Sequence, residues 1–355
     1  MNILNFRITA IKSTQVYKIT ILIIFCFFCL KLLDLVAYKS VIPSTTTAPK
    51  PNITDWNFKV KSIYALVLYT RKNHASILLR YLLPNLTKNG GILHKIVFAV
   101  KTNNTESLNY LESILKKNEP YLQQIRFSNS NRYREIYVTL RDDDLIFKID
   151  DDIVFIADGT FERMYEEYMK NKLLFLSANV VNHPLLSYVH ARMRAIVAFY
   201  EESSYNWIKY ENNTELDETP ANNNTYDAWG TWLFCEKCTA IVHNSFLYHA
   251  ERNNFQVYNF NFWDFHSSLY TRWSINFVLM RGKYVNKMEE WFPDMDDDEV
   301  AISYKIPELL KKHVYALGSA LVVHFSYGRR HDYMNKTNLL EKYDNFSKKY
   351  IVEKY

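Results

Sequence analysis

Glycine is scarce, with 7 in 355 residues, and no Gly-X-Gly-X-X-Gly or Walker-type loop occurs. That argues against the ordinary dinucleotide-binding and P-loop ways of cradling phosphate on backbone N–H groups. Cysteine is scarcer still, at 4. Cys26 and Cys29 lie in an apolar N-terminal run, which leaves Cys235 and Cys238. A lone Cys-X-X-Cys lacks the second ligand pair of a structural zinc site, so it reads as an oxidised local loop or two free thiols. Concentrated positive charge is also missing. The formal charge of +5 is modest, and Lys and Arg are not gathered into a patch. No nucleic-acid partner is expected on that ground. No internal repeat and no second linker divide the chain after its first sixty residues. What is plentiful is hydrophobic and aromatic: 48% and 16% of residues, with 27 Tyr and 22 Phe. A packed core accounts for most such rings without any ligand.

Arg7, Lys12 and Lys18 precede an apolar run from Ile19 to Tyr38, interrupted by Lys31 and Asp34. About 20 residues suffice to cross a bilayer as a helix, and the preceding basic residues place the N-terminus in the cytoplasm. A cleaved signal peptide, cut after Ala37, is the alternative. Ser40 to Asn52 is rich in Pro, Thr and Ser and reads as a stem. The expected organisation is a tail over 1–18, an anchor over 19–38, a stem over 39–61 and a lumenal domain over 62–345. Seven Asn-X-Ser/Thr sequons, at Asn52, Asn85, Asn103, Asn212, Asn223, Asn335 and Asn345, fit a secretory compartment.

Beyond the stem, short apolar runs alternate with helically spaced ones. Strands are expected at Ser62–Thr70, Lys95–Val100, Ile125–Phe127 and Leu145–Ile149. Helices are expected at Asn73–Leu86, Glu106–Lys117 and Arg132–Leu140. This alternation implies an α/β fold with a parallel sheet covered on both faces. The second half is less regular. It offers helices at Asp158–Lys172, Thr239–Arg252 and Asp298–Ile306, strands at Leu173–Ser177 and Ala320–Val323, and a polar loop over Glu201–Asp227.

Two aspartate triplets flank one expected strand: Asp142–Asp144 before it and Asp150–Asp152 after it. Five strand residues set them about 17 Å apart. Ligands of open α/β sheets sit beyond the carboxyl ends of strands, so Asp150–Asp152 is the candidate site and Asp142–Asp144 a solvated turn. Clustered carboxylates repel unless a cation intervenes, and Mg²⁺ or Mn²⁺ accepts such hard oxygen ligands. Capping of the next element is the other reading. A second acidic group, Asp296-Asp297-Asp298-Glu299, opens an amphipathic run; it can cap a helix or supply a base that takes a proton from a hydroxyl. The third piece is His324, leaving an apolar run ahead of Arg329 and Arg330, whose cations suit a diphosphate.

These pieces, in this order, resemble the GT-A glycosyltransferases, with a DxD motif after a central strand, an acidic helix start and a C-terminal histidine. The resemblance runs from Ser62 to about Tyr343. The segments Phe147-Lys148-Ile149-Asp150-Asp151-Asp152-Ile153-Val154-Phe155-Ile156 and Ser177-Ala178-Asn179-Val180-Val181-Asn182-His183-Pro184 look like a DxD subfamily with a type II membrane layout. The fold it implies is a Rossmann-like α/β domain whose mixed, mostly parallel sheet is sandwiched by helices. The activity it implies is metal-dependent, inverting transfer of a sugar from a nucleotide-diphosphate sugar to a glycan or glycoprotein hydroxyl. Mn²⁺ or Mg²⁺ would be held by Asp150, Asp152 and His324. Asp150, Asp151, Arg329 and Asn179 would face the donor, and Asp298 would be the base, with Asp297 and Glu299 as rivals. Gly282 is the candidate for a donor-side glycine. The location expected is a Golgi or ER membrane. Two other classes compete: a non-catalytic, membrane-tethered sugar- or nucleotide-binding protein, and a two-carboxylate glycosidase that needs no metal.

Overall fold

Strands covered on both faces must be apolar nearly throughout, and that is how Ser62–Tyr69 (β1), Lys95–Val100 (β2) and Asp144–Asp150 (β4) read and lie. The computed structural model describes residues 58–126, 135–196, 236–266, 270, 272–325 and 331–354. Within them, Leu122–Arg126 (β3), Ile153–Ile156 (β5), Phe175–Val181 (β6), Phe262–Asp264 (β7), Phe277–Arg281 (β8) and Tyr315–His324 (β9) complete one nine-stranded sheet. Its order is β3-β2-β1-β4-β8-β6-β9-β5, with β7 also on β9. The pairings β2–β3, β1–β2 and β1–β4 are parallel, as crossovers through Lys72–Leu82 (α1) and Thr105–Lys117 (α2) require. β8 runs antiparallel between β4 and β6, while β9 lies parallel to β6. Six strands therefore share one direction, and β5, β7 and β8 oppose them. The sheet is mixed and mostly parallel, as expected.

Further helices are Glu135–Val138 (α3), Thr160–Asn171 (α4), Leu186–Arg192 (α5), Glu236–Ala250 (α6), Asp298–Val300 (α7) and Leu339–Lys354 (α8). α4 packs on β6, β8 and β9, whereas α1 and α8 pack on β5. Aromatic rings fill these contacts. Phe147 of β4 meets Phe161 of α4 edge-on, and Phe155 of β5 touches Tyr81, Phe246 and Tyr350.

Several elements differ from expectation. The strand expected at Leu173–Ser177 is Phe175–Val181, and that at Ala320–Val323 begins earlier, at Tyr315. The helix expected over Asp298–Ile306 passes through a π-helical turn at Ala301–Lys305 before Ile306–Leu310. α8 carries the domain past 345, with Tyr343 and Tyr350 buried. Residues 1–57 lie outside the described residues, and so do the expected anchor, the stem up to residue 57 and the 201–227 loop. Among the described residues no helix is long and apolar enough to cross a membrane. The expected placement in a Golgi or ER membrane is corrected accordingly and plays no part in the functional reading.

Candidate active site

β4 delivers the acidic triplet. Side chains alternate across a strand, so Lys148 and Asp150 share a face. β9 returns antiparallel to β5, with Ile153 opposite His324, and Phe325 N donates to Asp152 O at 2.9 Å. That return brings His324 beside acids distant in sequence. One ligand atom from each of Asp150, Asp152 and His324 lies within 4.8 Å of the others. His324 Nε2 is 3.1 Å from Asp152 Oδ1 and 4.0 Å from Asp150 Oδ2.

The group is enclosed: Asp152 is 2% and His324 3% exposed. Burial alone would raise the Asp152 pKa, but His324 and Arg71 hold it well below the usual carboxylate range. Burial would likewise lower His324, yet Asp152 and Asp150 raise it. Three carboxylates, Asp150, Asp151 and Asp152, thus face Lys148, Arg71 and the His324 imidazole. A neutral imidazole offers the Nε2 lone pair to a metal ion. Two carboxylates and an imidazole at this spacing fit Mn²⁺ or Mg²⁺. A divalent ion held there would supply positive charge between the carboxylates.

Asp151 stands apart from its neighbours. Its Oδ2 accepts from Thr70 N, Thr70 Oγ1 and Arg71 N at 2.8, 2.6 and 2.7 Å, and Oδ1 pairs with Arg71 Nη2 at 2.7 Å. It ties the β1–α1 junction to the turn after β4. Asn179 has structural partners of its own. It is fully buried, donates to Tyr258 O and Gly318 O, and accepts at Oδ1 from His190 Nε2. The β6–β9 register jumps at Ala178/Asn179, and this amide satisfies the carbonyl left over. Gly282 opens a short helix where a Cβ would collide with Arg141 O, so close backbone packing explains it. Arg329 lies outside the described residues.

The acidic helix start divides by role. Asp297 is the N-cap of α7, accepting from Val300 N at 3.2 Å, and it pairs with Arg272 at 3.1 Å. Glu299 holds the same guanidinium at 2.6 Å. Asp298 is buried instead, and its Oδ2 accepts from Tyr137 O–H at 2.8 Å. Burial raises its pKa, while Lys148 and Tyr137 pull it back. The charge of Asp150 raises it further.

The upstream triplet is a turn at Asp142 and Asp143, with Asp142 exposed, and only Asp144 enters the strand. Asp143 pairs with the buried Arg281 at 2.6 Å, Asp142 Oδ1 accepts from Asn286 at 2.8 Å, and Asp144 is buried inside β4. Residues absent from the expectation are Lys148, Asn276, Arg71, Tyr137 and Arg272. Lys148 Nζ donates to Asp150 Oδ1 at 2.5 Å and to Ile275 O at 2.8 Å, and Asn276 Nδ2 donates to Asp150 Oδ2 at 2.9 Å. For Lys148 a signal existed: a charge in an otherwise apolar strand, two residues before Asp150. The others carried none.

The chain is thus a mixed α/β domain with a largely buried group of two carboxylates and one imidazole at the end of a central strand. No protein-family model matches the sequence, and no curated protein does. Among solved structures, 4-diphosphocytidyl-2C-methyl-D-erythritol synthase from Anaerococcus prevotii DSM 20548 superposes at a TM-score of 0.38 with 11% identity, covering 84% of this chain and 98% of that one. GalNAc-T7 with UDP, GalNAc and Mn²⁺ superposes at 0.41 with 9% identity, covering 76% of this chain and 44% of that one. Likenesses this loose carry neither a family nor an activity across, so the reading rests on the chain's own residues.

Proposed function

We propose that the chain is a metal-dependent glycosyltransferase that moves a sugar from a nucleotide-diphosphate donor to a glycan or glycoprotein hydroxyl with inversion. The observation that carries this is the meeting of Asp150, Asp152 and His324 within 4.8 Å at the end of β4. A bound Mn²⁺ or Mg²⁺ would neutralise charge growing on the departing diphosphate oxygen. Lys148 and Asn276 hold Asp150 by one oxygen each, and Arg71 holds Asp151 and Asp152. Asp298 takes the proton from the acceptor hydroxyl as the bond from its oxygen to the sugar's anomeric carbon forms. The bond from that carbon to the diphosphate breaks in the same step. Tyr137 donates to Asp298 and fixes which oxygen is available.

The test is release of nucleoside diphosphate from a panel of nucleotide sugars, with and without Mn²⁺. Metal-dependent release with at least one donor is expected. Unchanged turnover in EDTA, or none with any donor, would overturn the proposal. A rise in melting temperature with UDP or GDP and Mn²⁺ but without turnover would favour a binding protein instead.

A further inference from the structure

Helix α8 offers a role no motif reveals. Its Tyr343 is fully buried, with the hydroxyl 2.8 Å from His243 Nδ1 on α6. The other ring nitrogen, His243 Nε2, lies 2.7 Å from Phe325 O. A carbonyl can only accept, so Nε2 carries the hydrogen and Nδ1 accepts from the Tyr343 O–H. Beside it, Asn182 Nδ2 donates to His324 O and to Phe325 O, both at 2.9 Å. Asn182 reaches them from a left-handed backbone conformation, φ 65°, which asparagine tolerates better than most residues. Both carbonyls at the end of β9 are therefore pinned from outside the sheet, just where the His324 side chain must point at Asp152.

We infer that Tyr343 and His243 are positioning residues for the cation group. The phenol selects the imidazole tautomer, the imidazole and Asn182 hold the strand end, and the strand end aims His324 Nε2 at the carboxylates. Partners of this kind beyond the ligands orient a metal-binding imidazole. Without the hydroxyl, Nδ1 is left buried without its donor. The other tautomer would then set a lone pair against Phe325 O and release the strand end. The inference rests on the metal reading above.

The experiment is Mn²⁺ binding to the intact protein, followed by electron paramagnetic resonance of the free ion, beside thermal melting. Tyr343→Phe should weaken affinity roughly ten-fold and His243→Leu up to about a hundred-fold. His243→Gln, whose amide can donate to Phe325 O, should stay within a few-fold of the parent. Long-range ¹H–¹⁵N spectra should show His243 with its hydrogen on Nε2, and a mixture in Tyr343→Phe. Parent-like affinity in Tyr343→Phe and His243→Leu, with only melting affected, would overturn the positioning role alone. Absence of Mn²⁺ and Mg²⁺ binding by the parent would overturn the metal reading and this role with it.

Discussion

At the start of β4 stand Asp142, Asp143 and Asp144; at its end stand Asp150, Asp151 and Asp152. Composition is identical, and the strand between is apolar except for Lys148. Upstream, the acids go separate ways: to Asn286, to Arg281 and into the strand itself. Downstream, the middle acid is spent on Thr70 and Arg71, while the outer two converge on His324. Only Asp150 ends the strand; Asp151 and Asp152 form the turn into β5, and that turn sends Asp151 to the β1–α1 junction and Asp152 to His324. Chemistry resides in what the opposing strand brings: upstream a permanent cation, downstream an imidazole that can give up its proton.

The largest expected effect breaks this comparison directly. Asp152→Asn should cut turnover by about a thousand-fold or more, since the proposed ion would supply several kcal/mol of charge stabilisation on the leaving group. Folding should persist, because the amide keeps its shape. Asp143→Asn should leave turnover intact while lowering stability by about 2 kcal/mol, as Arg281 loses its carboxylate. Steady-state rates and denaturant midpoints for both variants decide. Equal loss of turnover from either triplet would mean the two ends are not different in kind.

Next in size is Asp298→Asn. The amide oxygen can still accept from Tyr137, so stability should hold while turnover falls by roughly 10²–10⁴. A fall in substrate affinity with the chemical step unchanged would instead make Asp298 a binding residue.

Histidines sharpen the contrast between fixed and exchangeable partners. His324 faces carboxylates and is pushed up. His183 and His190 are pulled down to about 3 and His243 to about 4, chiefly by burial. A depressed folded value means the unfolded chain binds the proton more readily. The stability these three provide is complete above the unfolded value of 6.5 and is lost as pH falls towards 4 and 3. At pH 5 each costs about 2 kcal/mol. Unfolding free energy should therefore drop by several kcal/mol between pH 7 and pH 5, and His190→Gln should flatten the slope. A flat profile would show that these rings are protonated in the native protein.

How much of this could be read from residues alone follows the same division. β2 and the run behind β4 were legible because an apolar stretch between turn signals has few other fates. The order of acid, acidic helix start and histidine was legible too. β8 was not, since FVLMR is a five-residue apolar run with no distinguishing period. α8 hid because its buried face is Leu339, Tyr343, Ser347 and Tyr350, three of them residues that also suit a surface. Asn179 was opaque for the opposite reason. An uncharged amide beside a strand end suits a cleft, and only the register jump between β6 and β9 shows that a buried carbonyl needed it. Lys148 was visible as an oddity, but a charge in an apolar strand does not announce which acid it meets.

The smallest expected effect lies within α7 itself, where adjacent aspartates repeat the comparison at one-residue spacing. Asp297 caps the helix through Val300 N and holds Arg272 beside Glu299 at a half-exposed surface. Removing a cap costs about 1 kcal/mol, and a solvent-exposed ion pair adds little. Asp297→Ala should thus lower stability by about that amount and change turnover less than a few-fold, because Glu299 still anchors Arg272. Asp298→Asn should do the reverse, sparing stability and removing turnover. Measured side by side, the pair asks whether burial beside Lys148, and not acidity at a helix start, distinguishes the base. If Asp297→Ala proves the more damaging to turnover, the roles assigned to these neighbours must be exchanged.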